Sequence, residues 1–83
     1  MKLNLYAVKD TVTGEFGAPY LGKNDNEAIR GFAYGANAPS NNLIHTHPED
    51  MQLFKMGEFD IQTGEIISKV EFLKNGVEVK KGE

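Results

Sequence analysis

The chain contains no cysteine. Disulfides, thiolate metal sites and a cysteine nucleophile are therefore excluded, and a reducing compartment fits that usage. No apolar run reaches the ~18 residues that a membrane-spanning helix requires. The opening Met1-Lys2-Leu3-Asn4-Leu5-Tyr6 is too short and too polar for a secretory leader, and reads as a first β-strand. Positive charge is scarce: nine Lys and Arg face twelve Asp and Glu, the net charge is −3, and Arg30 is the only arginine. That balance argues against strong sequence-independent nucleic-acid binding, whose affinity comes from Lys and Arg at phosphates. Lys69, Lys74, Lys80 and Lys81 gather toward the end, but Glu71, Glu78 and Glu83 accompany them. The result is a mixed, solvated edge rather than a basic arm.

Catalytic signatures are missing too. Ser40 and Ser68 lack a G-x-S-x-G setting, and no P-loop, G-x-G-x-x-G or HExxH occurs. A chain this short seldom encloses a pocket for acid–base work. The expectation is a binding protein with no catalytic residue, no resident metal and no cofactor.

What is present reads as one domain, 1–83. A chain of this size buries only roughly 60–65% of its unfolded surface, so its core is thin. Asp10-Thr11-Val12-Thr13-Gly14-Glu15 and Asp60-Ile61-Gln62-Thr63-Gly64-Glu65 repeat the pattern Asp-x-x-Thr-Gly-Glu. Asp starts a turn and Gly supplies the left-handed residue that closes it, so each copy predicts a hairpin. The first joins strands near Lys2–Lys9 and Glu15–Leu21, and the second joins Met51–Phe59 and Glu65–Leu73. Leu53, Phe54, Met56 and Phe59 do not alternate cleanly, which implies a bulge or burial on both faces. Asn75-Gly76 predicts a tight turn that folds Val77–Lys80 back as a short strand. Between the hairpins, Asn24 and Glu27 have capping-box spacing. Ala28, Ile29, Phe32, Ala33 and Ala36 share a helical face, and Pro39 stops the helix. Gly31 and Gly35 on that helix suggest a close approach by a neighbour. The predicted fold is α+β: an antiparallel sheet of about five strands (hairpin, helix, hairpin, short strand) with one helix packed on it.

His45-Thr46-His47-Pro48-Glu49-Asp50 is the most unusual stretch. It fits a turn that launches the third long strand, with Pro48 fixing the backbone and Glu49 and Asp50 capping amides. The same residues could form a partner-binding surface. On an extended chain His45 and His47 would face one side, as chelating histidines do, but the ligand set is incomplete. Arg30 could hold a phosphate through two hydrogen bonds or pair with Glu49 or Asp50. Tyr6, Phe16, Tyr20, Tyr34 and Phe54 fit core packing, while aromatics beside cations on an open sheet also stack single-stranded bases.

Tyr6-Ala7-Val8-Lys9-Asp10, Phe16, Pro19-Tyr20, Glu27-Ala28-Ile29-Arg30-Gly31-Phe32, His47-Pro48-Glu49-Asp50, Leu53 to Asp60 and Thr63-Gly64 occur in one order. That order resembles the small nonstructural proteins of gokushovirus-type microviruses, phages with circular single-stranded DNA. The likeness runs from about Leu5 to Glu65. Met51 departs from it, since the family usually has an aromatic there. The resemblance implies a protein absent from the virion and made in the cytoplasm of the infected bacterium. It also implies a role in single-stranded DNA synthesis, replication or packaging, through single-stranded DNA or through phage or host replication proteins. Arg30, His45, His47, Glu49, Asp50, Tyr6, Tyr20 and Tyr34 form the candidate contact set. The alternative is a protein-interaction module with no nucleic-acid role. A homo-oligomer, most simply a dimer, is expected through strand Lys2–Val8, which carries alternating apolar residues and no proline.

Overall fold

The repeated hexapeptide makes the same turn twice in the computed structural model, which describes residues 1–81. Glu83, counted above with the mixed-charge tail, lies outside the described residues. The element order is β1 (Lys2–Asp10), β2 (Glu15–Phe16), β3 (Tyr20–Gly22), α1 (Asp25–Asn37), α2 (Leu43–Thr46), a 3-10 turn (Pro48–Asp50), β4 (Met51–Asp60), β5 (Ile66–Asn75) and α3 (Gly76–Val79). In the β1–β2 turn Asp10 Oδ1 accepts from Val12 N at 2.9 Å and Thr13 Oγ1 accepts from Glu15 N at 3.2 Å. In the β4–β5 turn Asp60 Oδ1 accepts from Gln62 N at 2.9 Å and Thr63 Oγ1 from Glu65 N at 3.2 Å. Gly14 and Gly64 close the two loops at φ 76° and 81°, a region that L side chains rarely enter. The amide donors at Gln62 and Thr63 hold the Asp60 carboxyl below its usual range.

All strand pairing is antiparallel, in the order β2–β1–β4–β5, with β3 also pairing β1. This confirms the α+β class and five strands, but three expectations are corrected. Strand β1 is interior, not an edge, because β4 takes one side and β2 with β3 the other. It cannot serve for edge-to-edge association. Second, residues 77–80 form no strand. The Asn75 N–H donates to Glu78 Oε1 at 2.7 Å and the Asn75 side chain accepts from Gln52 Nε2 at 3.0 Å, so Asn75 starts a helix instead of a hairpin. Third, the strand expected over Glu15–Leu21 is broken into β2 and β3 around Pro19, which has no amide hydrogen for a ladder.

Irregular alternation in β4 reflects a bulge: Leu5 pairs with Gly57 and Tyr6 with Lys55, leaving Met56 unmatched on β1. Gly57 sits at φ 144°, and a methyl group there would run into the Ile67 carbonyl oxygen. A close approach of this kind was expected at Gly31 and Gly35 of the helix. It does not occur at Gly31, which has nothing within 4 Å, and Gly35 meets only Ile44, at an ordinary 3.7 Å.

Helix α1 begins as its spacing predicts, with Asn24 Oδ1 accepting from Glu27 N at 2.8 Å, and it ends at Asn37, before Pro39. Its Ala28 and Phe32 meet Tyr6, Met51 and Leu53 of the sheet in one core cluster, which Ile44 of α2 and Val79 of α3 join. All three helices thus lie on one face of the sheet. Tyr6 is fully buried at its centre. Its hydroxyl donates to Asp25 Oδ1 at 2.7 Å and accepts from Asn4 Nδ2 at 2.9 Å. Burial, reinforced by the Asp25 carboxylate, pushes the Tyr6 phenol from 10.0 to about 12.

Tyr6→Phe keeps the ring and removes this link between β1 and the first turn of α1. A hydrogen bond to a charged group contributes roughly 1.5–3 kcal/mol, so thermal unfolding should shift down by about 10 °C. The folded phenol holds its proton more tightly than the unfolded one. Its extra stabilisation is thus complete below pH 10 and disappears as pH rises toward about 12. The difference between the wild-type and Tyr6→Phe denaturation curves should shrink across that window; a constant difference would refute the link.

Candidate functional site

The stretch His45–Asp50 adopts two short turns rather than an extended strand. Asn42 caps α2 through Oδ1, which accepts from Ile44 N at 2.9 Å, and Pro48 occupies the first turn of the 3-10 segment that leads into β4. The turn thus launches that strand with Pro48 at its start, but the expected capping by Glu49 and Asp50 is not made: among the described residues no amide donates to either carboxylate. The paired, chelating geometry of the two histidines is not adopted. His45 lies inside α2 and His47 caps it, with His47 Nδ1 2.9 Å from Thr46 Oγ1. Among the described residues no three His, Asp or Glu side chains gather as a metal site would require.

His45 instead belongs to a lock at the end of α1. Its Nδ1 lies 2.9 Å from the Ala36 carbonyl oxygen, a contact that requires the hydrogen on Nδ1. Lys80 Nζ donates to the same Ala36 oxygen at 2.7 Å and to the His45 carbonyl at 3.3 Å. With Nδ1 protonated, the 3.2 Å approach of Lys80 Nζ to that nitrogen is a contact rather than a hydrogen bond. Helix α1 has no basic residue in its last turn, so Lys80 supplies the cation that its carbonyl end favours. Asn37 completes the lock. Its Nδ2 donates to the carbonyls of Ala33 and Val79 at 2.8 and 2.9 Å, and its Oδ1 accepts from Lys81 N at 2.7 Å.

This docking carries Lys81 to the outer face of α1. There Arg30, Ala33, Tyr34, Asn37 and Lys81 line an open hollow of about 290 Å³. Arg30 and Tyr34 are four residues apart and so share a helical face; Tyr34 is 75% exposed. An exposed phenol ring between two cations can stack a planar group while the cations hold its anionic substituents.

The other candidates lie elsewhere. Tyr6 is in the core and reaches no ligand. Tyr20 packs against it, with ring centroids 6.0 Å apart, and burial raises its phenol above the usual value. His47 and Asp50 border a second hollow with Asp10, Val12, Leu43 and Met51. Glu49 is exposed on the 3-10 turn. Of the eight residues picked from the sequence, Arg30 and Tyr34 meet in one hollow, and His47 and Asp50 in another.

A further feature was half-seen in the sequence. Phe16, Phe54 and Phe72 form a row across β2, β4 and β5, in edge-to-face contacts at 5.2 and 5.7 Å, with Lys9 Nζ 5.5 Å from the Phe16 ring centre. Phe54 follows core residue Leu53, and period-two alternation turns it to the face without helices. Phe16 and Phe72 remain 40% and 46% exposed there. Alternation around Leu53 was the signal; the broken pattern at Met56 obscured it.

The family model for the Phage ORF5 protein matches residues 3–79. No curated protein and no solved structure matches the chain. Among the described residues no helix is long and apolar enough to cross a membrane.

The lock itself is testable. Lys80→Ala removes the ammonium from the Ala36 and His45 carbonyls and should lower stability by about 1–2 kcal/mol. The expected readout is a lower urea midpoint with an unchanged slope; an unmoved midpoint would show that Lys80 contributes nothing.

Proposed function

We propose that this chain, which belongs to the phage ORF5 protein family, is a nonstructural accessory protein that contacts single-stranded DNA through the outer face of α1. The observation that carries the reading is the grouping of Tyr34, Arg30 and Lys81 in one hollow. A single strand exposes base faces, and stacking on an aromatic ring is tolerant of sequence. Arg30 suits a phosphate because its planar fork can donate twice, and Lys81 adds a second positive charge. The site is small, which accords with a net charge of −3. Binding would be weak for one chain and would serve to attach the protein to DNA being copied or packaged, in the cytoplasm of the infected bacterium. The microvirus resemblance supports this setting and a protein absent from the virion.

A second reading has its own observation. The row of Phe16, Phe54 and Phe72 is an apolar patch with Lys9 at one end, as expected of a module that binds a phage or host protein and has no nucleic-acid role.

Fluorescence anisotropy with a short labelled oligonucleotide at low salt separates the two. Direct contact predicts measurable binding. Its salt dependence should have a log–log slope near −1.4 if two phosphates are neutralised, at roughly 0.7 each. Tyr34→Ala should weaken it by roughly 1–3 kcal/mol, about five-fold or more. Arg30→Gln should weaken it and flatten the salt slope. Both side chains are exposed, so neither change should disturb folding. Absence of binding at tens of micromolar protein sinks the DNA contact and leaves the protein-binding reading.

A further inference from the structure

Strand β5 is the long free edge of the sheet: among the described residues it pairs with β4 alone. Residues 66 to 72 are all exposed, including Ile66, Ile67, Val70 and Phe72. Such an edge presents unpaired amides and carbonyls on one side, and apolar side chains above and below it. Its residues are also arranged to meet themselves. Lys69 and Glu71 flank Val70 symmetrically. Phe72 pairs with Phe54, Glu71 with Lys55 and Ser68 with Gly57, with a register shift between the last two pairs, where three residues of β5 stand against two of β4. The β4 bulge returns Gly57 to the face of Phe54, through Leu5 and Ala7 of β1, so β5 itself alternates from Ser68 to Phe72. Ser68, Val70 and Phe72 point to the face without helices, and Lys69 and Glu71 point to the other.

We propose that two copies of this chain pair antiparallel through β5 about a two-fold axis at Val70. A two-fold axis perpendicular to the sheet keeps the open faces of both copies on one side. It therefore requires a residue to face its own copy. With Val70 on the axis, Lys69 of each copy lies opposite Glu71 of the other, twice. Ser68 lies opposite Phe72, also twice. Centring on Lys69 or Glu71 instead would set like charges against each other, which is unfavourable in a directly opposed pair. Centring on Ser68 or Phe72 forms neither ion pair. The Val70 register alone among these five makes both charges complementary. An edge this short buries less than the ~800 Å² per partner of a stable interface, so the pairing is concentration-dependent. It joins the two phenylalanine rows into one apolar face. The Phe72 rings of the two copies stand four residues out of step on neighbouring strands, about 14 Å apart.

The chain has no cysteine, so single cysteine substitutions read the register directly. Directly opposed residues of an antiparallel pair have Cα atoms about 4.5–5.5 Å apart, within disulfide reach. Under mild oxidation without nucleic acid, Val70→Cys should form a covalent dimer rapidly. Ser68→Cys and Phe72→Cys should each do so slowly when alone and rapidly when mixed. Val12→Cys, in the exposed β1–β2 turn, sets the rate of random collision. The wild-type chain should show a mass rising from 9.2 kDa toward twice that value in sedimentation equilibrium, and Lys69→Glu should hold it at the single-chain mass. Val70→Cys dimerising no faster than Val12→Cys would overturn the proposal. So would a wild-type mass of one chain at every concentration, or faster cross-linking of Ser68→Cys alone than of Val70→Cys. None of these readouts depends on whether DNA binds.

Discussion

Helix α1 has thirteen residues and strand β4 has ten. At about 1.5 Å per helical residue and 3.4 Å per strand residue, the helix spans roughly 20 Å against a strand of roughly 34 Å. One helix of that length covers one end of one face, and the rest of the sheet must manage otherwise. Near the helix the short α2 and α3 fill the gaps with Ile44 and Val79. Beyond it the sheet continues as the three strands β1, β4 and β5, and the molecule extends 45 Å by 24 Å by 19 Å. The exposed apolar residues of β5 and the phenylalanine row occupy the surface that α1 leaves uncovered.

Two polar connections hold the covered end together, and both join residues far apart in sequence. The Tyr6 hydroxyl fixes the start of α1 through Asp25, and Lys80 with Asn37 fixes its finish. Each satisfies a need the helix cannot meet alone. Its first turn is acidic and receives a buried donor, while its last turn lacks a cation and receives one from α3. A thin apolar core, seven buried residues among those described, is in this way supplemented by hydrogen bonds that also set the position of the helix over the sheet.

Local chemistry in the sequence accounts for much of this fold. The two Asp-x-x-Thr-Gly-Glu turns, the Asn24 cap, the apolar face of α1 and the two long hairpin strands follow from interactions within a few residues. The strand order does not. Nothing near β1 says that β4 will pair with it along its whole length, so β1 reads as an edge until its partner is placed. Asn75-Gly76 has good hairpin chemistry, but Glu78 and Gln52 compete for Asn75 and prevail. At the candidate site, Arg30 and Tyr34 were visible as neighbours on a helix, whereas Lys81 reaches them only because Asn37 and Lys80 dock the tail. Tyr6 illustrates the opposite error: an aromatic that alternation alone could place on either face belongs to the core.

The tail lock also bears on the order in which the chain can acquire its structure during synthesis. Helix α1 emerges from the ribosome before any of β4, β5 or α3 does. At that stage Phe32 has no Leu53 or Met51 to pack against, and the Ala36 carbonyl has no Lys80 ammonium. An isolated helix of this length is marginal in water. The first 40 residues to emerge can therefore hold the β1–β2 hairpin and a fraying helix, and no more. The β4–β5 hairpin can form as soon as it emerges, but β1 must wait for it across a long loop closure. Residue 80 then closes the helix last. The chain as far as residue 80 must thus emerge before any part of this fold is stable, so that its folding is a single late event and not a progressive one.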